Sequence, residues 1–208
     1  MCKRARPDTH TVVATLCTRV KGPTEDDWKK LLLLMKFLKS TTPDKLILSI
    51  DGLGKLKWWV DASFAVHPDM KSHTGGGLRL GKGMPITLCR KQKLNTRSST
   101  EAELVGTDDC SVLIVWCALF LGAQGYGYES VLLQDNMSNI QLVNNGKRSS
   151  SQRTRALNIR YFYLTDLVDR GELTVEYCST KEMISDYFTK SEQGALFQTN
   201  RKLIMGYE

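Results

Sequence analysis

Leu56-Lys57-Trp58-Trp59-Val60-Asp61-Ala62-Ser63 is an apolar run that delivers one carboxylate and then breaks into polar sequence. Trp58, Trp59 and Val60 are the aromatic and β-branched types that suit a buried strand, so the run predicts a central β-strand with Asp61 at its exit. Packing asks for no acid there. A carboxylate buried without a partner is costly, so Asp61 must be solvated, paired or metal-bound. What else in the chain can gather around it decides both fold and function.

Val131-Leu132-Leu133-Gln134-Asp135-Asn136 repeats the pattern, an apolar strand that ends in an acid. Were the two strands parallel neighbours, both acids would stand at one edge of the sheet, where ligand sites of such sheets lie. Between them, Ser98 and Glu101 have capping-box spacing and open a predicted helix through Val112, Leu113, Trp116, Cys117 and Phe120. Glu101 and Glu103 lie about 200° apart around a helix, so they do not share a site. Capping accounts for Glu101 and leaves Glu103 without a structural role. Gly75 to Leu80 and Ile86 to Arg90 read as two strands joined by Gly81-Lys82-Gly83-Met84-Pro85. Gly76, Gly81 and Lys82 mimic the start of a phosphate-binding loop, but Gly83 stands where a Ser or Thr belongs and no helix follows, which excludes nucleotide binding there.

Upstream, Pro7 and Asp8 suit a helix start, with Val12, Val13, Leu16 and Val20 at helical spacing. Thr24 and Asp27 resemble a second capping box ahead of an amphipathic helix faced by Trp28, Leu31, Leu32, Met35 and Leu38. Lys45 to Ile50 looks like a short strand before an Asp51-Gly52 turn. His67 and His73 lack the neighbours of a metal site and read as loop residues. Downstream, Ser138 and Asn139 open a helix, and Lys147, Arg148, Arg153, Arg155 and Arg160 form a basic cluster without acids around Ser149 to Ser151. Such a cluster suits phosphate contacts and, with the basic segment Arg79 to Arg97, a continuous track. Leu157, Tyr161, Leu164 and Val168 give a helical face, Leu173 to Cys178 a strand, and Lys181 to Lys190 a short helix carrying Asp186. Residues 191 to 208 read as a loosely attached tail.

The chain has 208 residues, enough to bury a core of one domain with an appendage. Its 29 basic and 22 acidic residues give a net charge of +7, which fits a polyanionic partner. The six cysteines show no paired metal-ligand spacing and read as reduced thiols of an intracellular protein. No membrane-spanning or signal pattern is expected, so the protein should be soluble, in the cytoplasm or nucleus.

Asp61, Glu103, Asp135 and Asp186 thus fall in the order strand, helix, strand, helix. That order resembles the ribonuclease H fold. Trp58 to Ser63, Lys91-Gln92-Lys93 through Ser98 to Leu104, Gln134-Asp135-Asn136, Arg153-Thr154-Arg155 through Asn158 to Phe162, and Asp186-Tyr187-Phe188-Thr189-Lys190 resemble the ribonuclease H region of copia-type LTR retrotransposon Pol polyproteins, over roughly residues 3 to 206. The resemblance implies an α/β fold: a five-stranded mixed sheet flanked by helices, with an N-terminal helical appendage. It implies three parts: residues 1 to 54 connecting from a missing reverse transcriptase, a ribonuclease H-like domain at 55 to 190, and the tail.

The same resemblance implies that Asp61, Glu103, Asp135 and Asp186 are catalytic and bind metal, two Mg²⁺ ions with Mn²⁺ as a substitute. Converging carboxylates repel one another, and cations between them relieve this. The implied reaction is two-metal hydrolysis of the RNA strand of an RNA–DNA hybrid within reverse transcription, with a reverse transcriptase domain as partner in the parent polyprotein. Ser99, Gln134 and Asn136 are candidate readers of 2′-hydroxyls. Lys147, Arg148, Arg153 and Arg155 are candidate backbone contacts. The chain departs from the family pattern at Ala156-Leu157, where a histidine is usual, at Ser191, where a proline is usual, and at Ser179 to Glu182, which lacks the histidine of cellular ribonucleases H. These departures keep open an alternative, a weakened or inactive fragment that binds nucleic acid or serves as a scaffold.

Overall fold

The computed structural model describes residues 1–52, 54–145 and 158–207, without the side chains of 158–161. Five strands carry it: β1 (Lys55–Ser63), β2 (His73–Arg79), β3 (Ile86–Lys91), β4 (Glu129–Gln134) and β5 (Thr174–Tyr177). They form one sheet in the order β3-β2-β1-β4-β5. β1, β2 and β3 pair antiparallel, whereas β4 and β5 run parallel to β1. This is the mixed five-stranded sheet that the resemblance implies. The helices are α1 (His10–Arg19), α2 (Glu25–Ser40), α3 (Ser99–Ala123), α4 (Met137–Asn145), α5 (Asn158–Asp169), α6 (Asp186–Thr189) and α7 (Gly194–Met205).

Strand alternation sorts β1 between two layers. Leu56, Trp58 and Val60 join Leu132 against Leu104, Cys110, Ile114 and Cys117 of α3 and Leu164 and Leu167 of α5. Trp59 faces the other layer, with Met183, Ile184, Tyr187, Phe188 and Ile204 from the chain around α6 and α7. Among the described residues, α3 alone is long and apolar enough to cross a membrane. Part of that apolar surface packs on the sheet, while Val112, Trp116, Leu119 and Phe120 stay exposed. Gly75 of β2 has no room for a side chain: a Cβ would lie 2.8 Å from Cβ of Phe188 and 2.9 Å from its carbonyl carbon. That contact seats α6 directly on the sheet.

Several expectations are corrected. The tail is not loosely attached, because α7 buries Asn200, Arg201, Ile204 and Met205. Lys45 to Ile50 forms no strand. Its amides bond to two different segments, Ile47 to the Met205 carbonyl at 2.9 Å and Ser49 to that of Lys82 at 3.2 Å, so no ladder develops. The Thr24–Asp27 capping box is present in both directions. The helix it opens nevertheless exposes most of its predicted face, Trp28 by 59% and Met35 by 57%, and buries Leu34 instead. At α3, Ser98 accepts from the Glu101 amide, but Glu101 reaches back to the amide of Arg97 rather than that of Ser98.

The first residues are bound into the body of the fold. Asp8, its side chain fully buried, accepts two bonds from Arg6, each at 2.9 Å, and one from Nε of Arg201 at 2.9 Å. Arg201 also reaches Asp44, and the Tyr187 hydroxyl donates to the Asp8 carbonyl at 2.7 Å. Chain start, α6 and α7 therefore share one buried ionic centre.

Candidate metal centre

The register between β1 and β4 ends at Trp59 opposite Leu133. Continued two residues, it sets Asp61, which is still inside β1 opposite Gly75 rather than at its exit, beside Asp135, just past the end of β4. α3 lies over this edge and contributes Glu103 from its first turns, two residues past the capping Glu101. One carboxylate oxygen each of Asp61, Glu103 and Asp135 lies within 4.8 Å of the other two. A cation with oxygen ligands at about 2.0–2.6 Å can bridge such oxygens, and an all-carboxylate set suits a hard divalent ion. The donor set therefore fits a hard divalent cation.

Asp186 opens α6, within reach of the charge of Asp61. It also accepts a bond from Lys190 Nζ at 2.7 Å. The Thr189 hydroxyl donates to Asp61, and the Thr180 hydroxyl donates to Asp135 at 3.0 Å. All four predicted acids thus converge on one edge, with Asp186 beside the triad.

Gln134 is not positioned to read nucleic acid. It shares the strand parity of Leu132, faces α3 and is fully buried. Its amide nitrogen donates to Glu103 at 2.9 Å, while its oxygen accepts from Asn139 at 2.5 Å. Asn139 donates as well to Thr107, whose hydroxyl bonds the Glu103 carbonyl. This network aims Glu103 at the acids, and the sequence reading missed it. Asn136 is half-buried and its side chain caps α4 through the Asn139 amide, at 3.1 Å. Ser99 is exposed at the start of α3. Lys147, Arg148, Arg153 and Arg155 lie outside the described residues. The basic track expected along Arg79 to Arg97 is interrupted, since Arg90 pairs with Asp109 and Lys91 with Asp69, each at 2.7 Å. His67 and His73 bond each other at 3.1 Å, and His73 contacts Cys89 at 3.2 Å.

Burial, followed by the charge of Asp61, pushes the Glu103 pKa up to about 9; the Gln134 bond opposes the shift and Asp135 adds to it. Burial likewise raises Asp186 to about 6, with Lys190 opposing and Asp61 adding. Without a cation, the folded chain at neutral pH therefore keeps a proton on Glu103 that the unfolded chain releases. The raised pKa stabilises the fold fully below about pH 4.5 and progressively less as pH rises to about 9, and Asp186 acts with the same sign over the window from about 4 to 6. In EDTA, the melting temperature of wild type relative to Glu103→Gln should fall between pH 5 and pH 9. Mg²⁺ should reduce that fall and release protons on binding. A difference that stays level or rises with pH contradicts the assignment of Glu103.

No family model matches the chain. It is 28% identical over 202 residues to the retrovirus-related Pol polyprotein from transposon TNT 1-94 of Nicotiana tabacum, covering 96% of this chain and 15% of that protein. It is 30% identical over 203 residues to the corresponding polyprotein from transposon RE2 of Arabidopsis thaliana, covering 95% and 14%. The chain thus spans about a seventh of the length of these relatives. Among solved structures it is similar to a ribonuclease H1 isolated from compost by a metagenomic approach, with TM-score 0.49, 12% identity, and coverage of 65% of this chain and 93% of that one.

Proposed function

We propose that this chain, a homologue of the retrovirus-related Pol polyproteins of plant transposons, is their metal-dependent ribonuclease H unit, acting on the RNA strand of RNA–DNA hybrids. The observation that carries this reading is the meeting of Asp61, Glu103 and Asp135 within 4.8 Å at the edge of the sheet. Divalent cations bound there would activate a water, neutralise the phosphate and hold the leaving 3′ oxygen.

The chain's own residues do the rest. β1 holds Asp61 and the end of β4 positions Asp135 just beyond it, so little reorganisation is needed when substrate binds. The Gln134 and Asn139 network holds Glu103 in place through a bond to one of its oxygens. Thr189 and Thr180 steady Asp61 and Asp135 by hydroxyl bonds. Ser99, exposed at the start of α3, is the candidate 2′-hydroxyl contact that remains accessible, with the half-buried Asn136 beside the acids. In the cell the chain would work in the cytoplasm or nucleus, joined to a reverse transcriptase in the parent polyprotein.

Equal amounts of labelled RNA–DNA hybrid, duplex RNA and duplex DNA, each incubated with the protein and Mg²⁺, test the substrate class. Cleavage of the RNA strand in the hybrid alone is the expected result. Binding of all three without cleavage would favour the scaffold alternative, and cleavage of duplex DNA would overturn the assignment.

A further inference from the structure

The acids account for Asp186 in the run Asp186-Tyr187-Phe188-Thr189-Lys190 but give its last residue no role. Lys190 follows α6, and its amide donates to the Asp186 carbonyl at 2.8 Å. The side chain consequently returns one turn to the site. Its ammonium lies 2.7 Å from Asp186 and 4.0 Å from Asp61. An exposed ion pair four residues apart on a helix is commonplace and contributes little. Here the lysine reaches two carboxyl groups, and both are largely buried while it is half exposed. Its backbone is held as well, because the Ser63 hydroxyl donates to the Thr189 carbonyl at 3.2 Å and the Thr189 hydroxyl to Asp61.

We propose that the Lys190 ammonium is a built-in counter-ion that holds Asp61 and Asp186 together in the cation-free protein and is displaced when a divalent cation enters between them. This rests on the metal-dependent reading above. A cation held by Asp61, Glu103 and Asp135 leaves the Lys190 contact with Asp186 intact. A cation that recruits Asp186 takes the place of the ammonium. The two positions would therefore fill in order, the triad first and the Asp186 position second and more weakly. A half-exposed ammonium can swing into water, so the competition is modest rather than prohibitive.

The test is Mn²⁺ binding by the full chain, read as free Mn²⁺ by electron paramagnetic resonance, together with thermal unfolding in EDTA and in saturating Mn²⁺. Wild type should take up one ion tightly and a second more weakly. Lys190→Met should leave the first affinity within about twofold and tighten the second about fivefold, as expected for removal of a partly exposed competing charge. Its melting temperature should fall in EDTA and recover in Mn²⁺, whereas Lys190→Arg should behave as wild type. Second-site affinity unchanged in Lys190→Met, or an equal fall in melting temperature with and without Mn²⁺, would mean that the lysine is only a structural contact, and the proposal would be wrong while the metal reading stands. No Mn²⁺ uptake by wild type overturns both.

Discussion

Asp135→Asn should leave RNA–DNA hybrid bound and lower its cleavage at least about 10³-fold, because a lost metal ligand removes several kcal/mol of transition-state stabilisation. Asp135 stands just past β4 and supplies one of the three clustered oxygens. The bond from the Thr180 hydroxyl, at 3.0 Å, can still be accepted by the amide oxygen of asparagine. The fold should therefore survive while the charge that holds a cation is lost. Single-turnover cleavage and a gel shift, run on the same preparations, separate the two effects. A variant that cleaves within tenfold of wild type would show that the reaction does not pass through this edge.

Asp8→Ala should destabilise the chain by about 3–5 kcal/mol, the usual cost of removing one partner from a buried charge network. Asp8 is the acid that Arg6 and Arg201 share, and both guanidinium groups are nearly buried around it. Without it two cations are left close together beside the Phe37 ring, 5.4 and 5.3 Å from its centroid, with Asp44 and Thr41 among their remaining partners. Urea unfolding measures the loss. A cost below about 1 kcal/mol would instead match an independent N-terminal appendage, whose surface pairs contribute little.

The strands and acids were legible because each signal is local. An apolar run that ends in a carboxylate is visible in eight residues, and Trp58 to Asp61 and Val131 to Asp135 both show it. Their adjacency follows from the parallel pairing of β1 and β4, which the resemblance to the ribonuclease H fold implied. The failures share a different cause. Periodicity says which residues of α2 share a face but not what covers that face, and Trp28 is left open to solvent. The attachment of α7 depends on Arg201 meeting Asp8 and Asp44, partners 193 and 157 residues away, and no local pattern carries that. Gln134 could have been placed correctly, since it has the parity of buried Leu132 and faces α3 for the same reason. Lys190, four residues after Asp186, was likewise visible as a charge at ion-pair spacing.

The most direct measurement of the account is the end chemistry of the RNA products from a hybrid incubated with the protein, in Mg²⁺ and in EDTA. The account predicts 5′-phosphate and 3′-hydroxyl ends that form in Mg²⁺ and vanish in EDTA. Cleavage that persists in EDTA with 2′,3′-cyclic phosphate ends, or an intact hybrid in Mg²⁺, would contradict it.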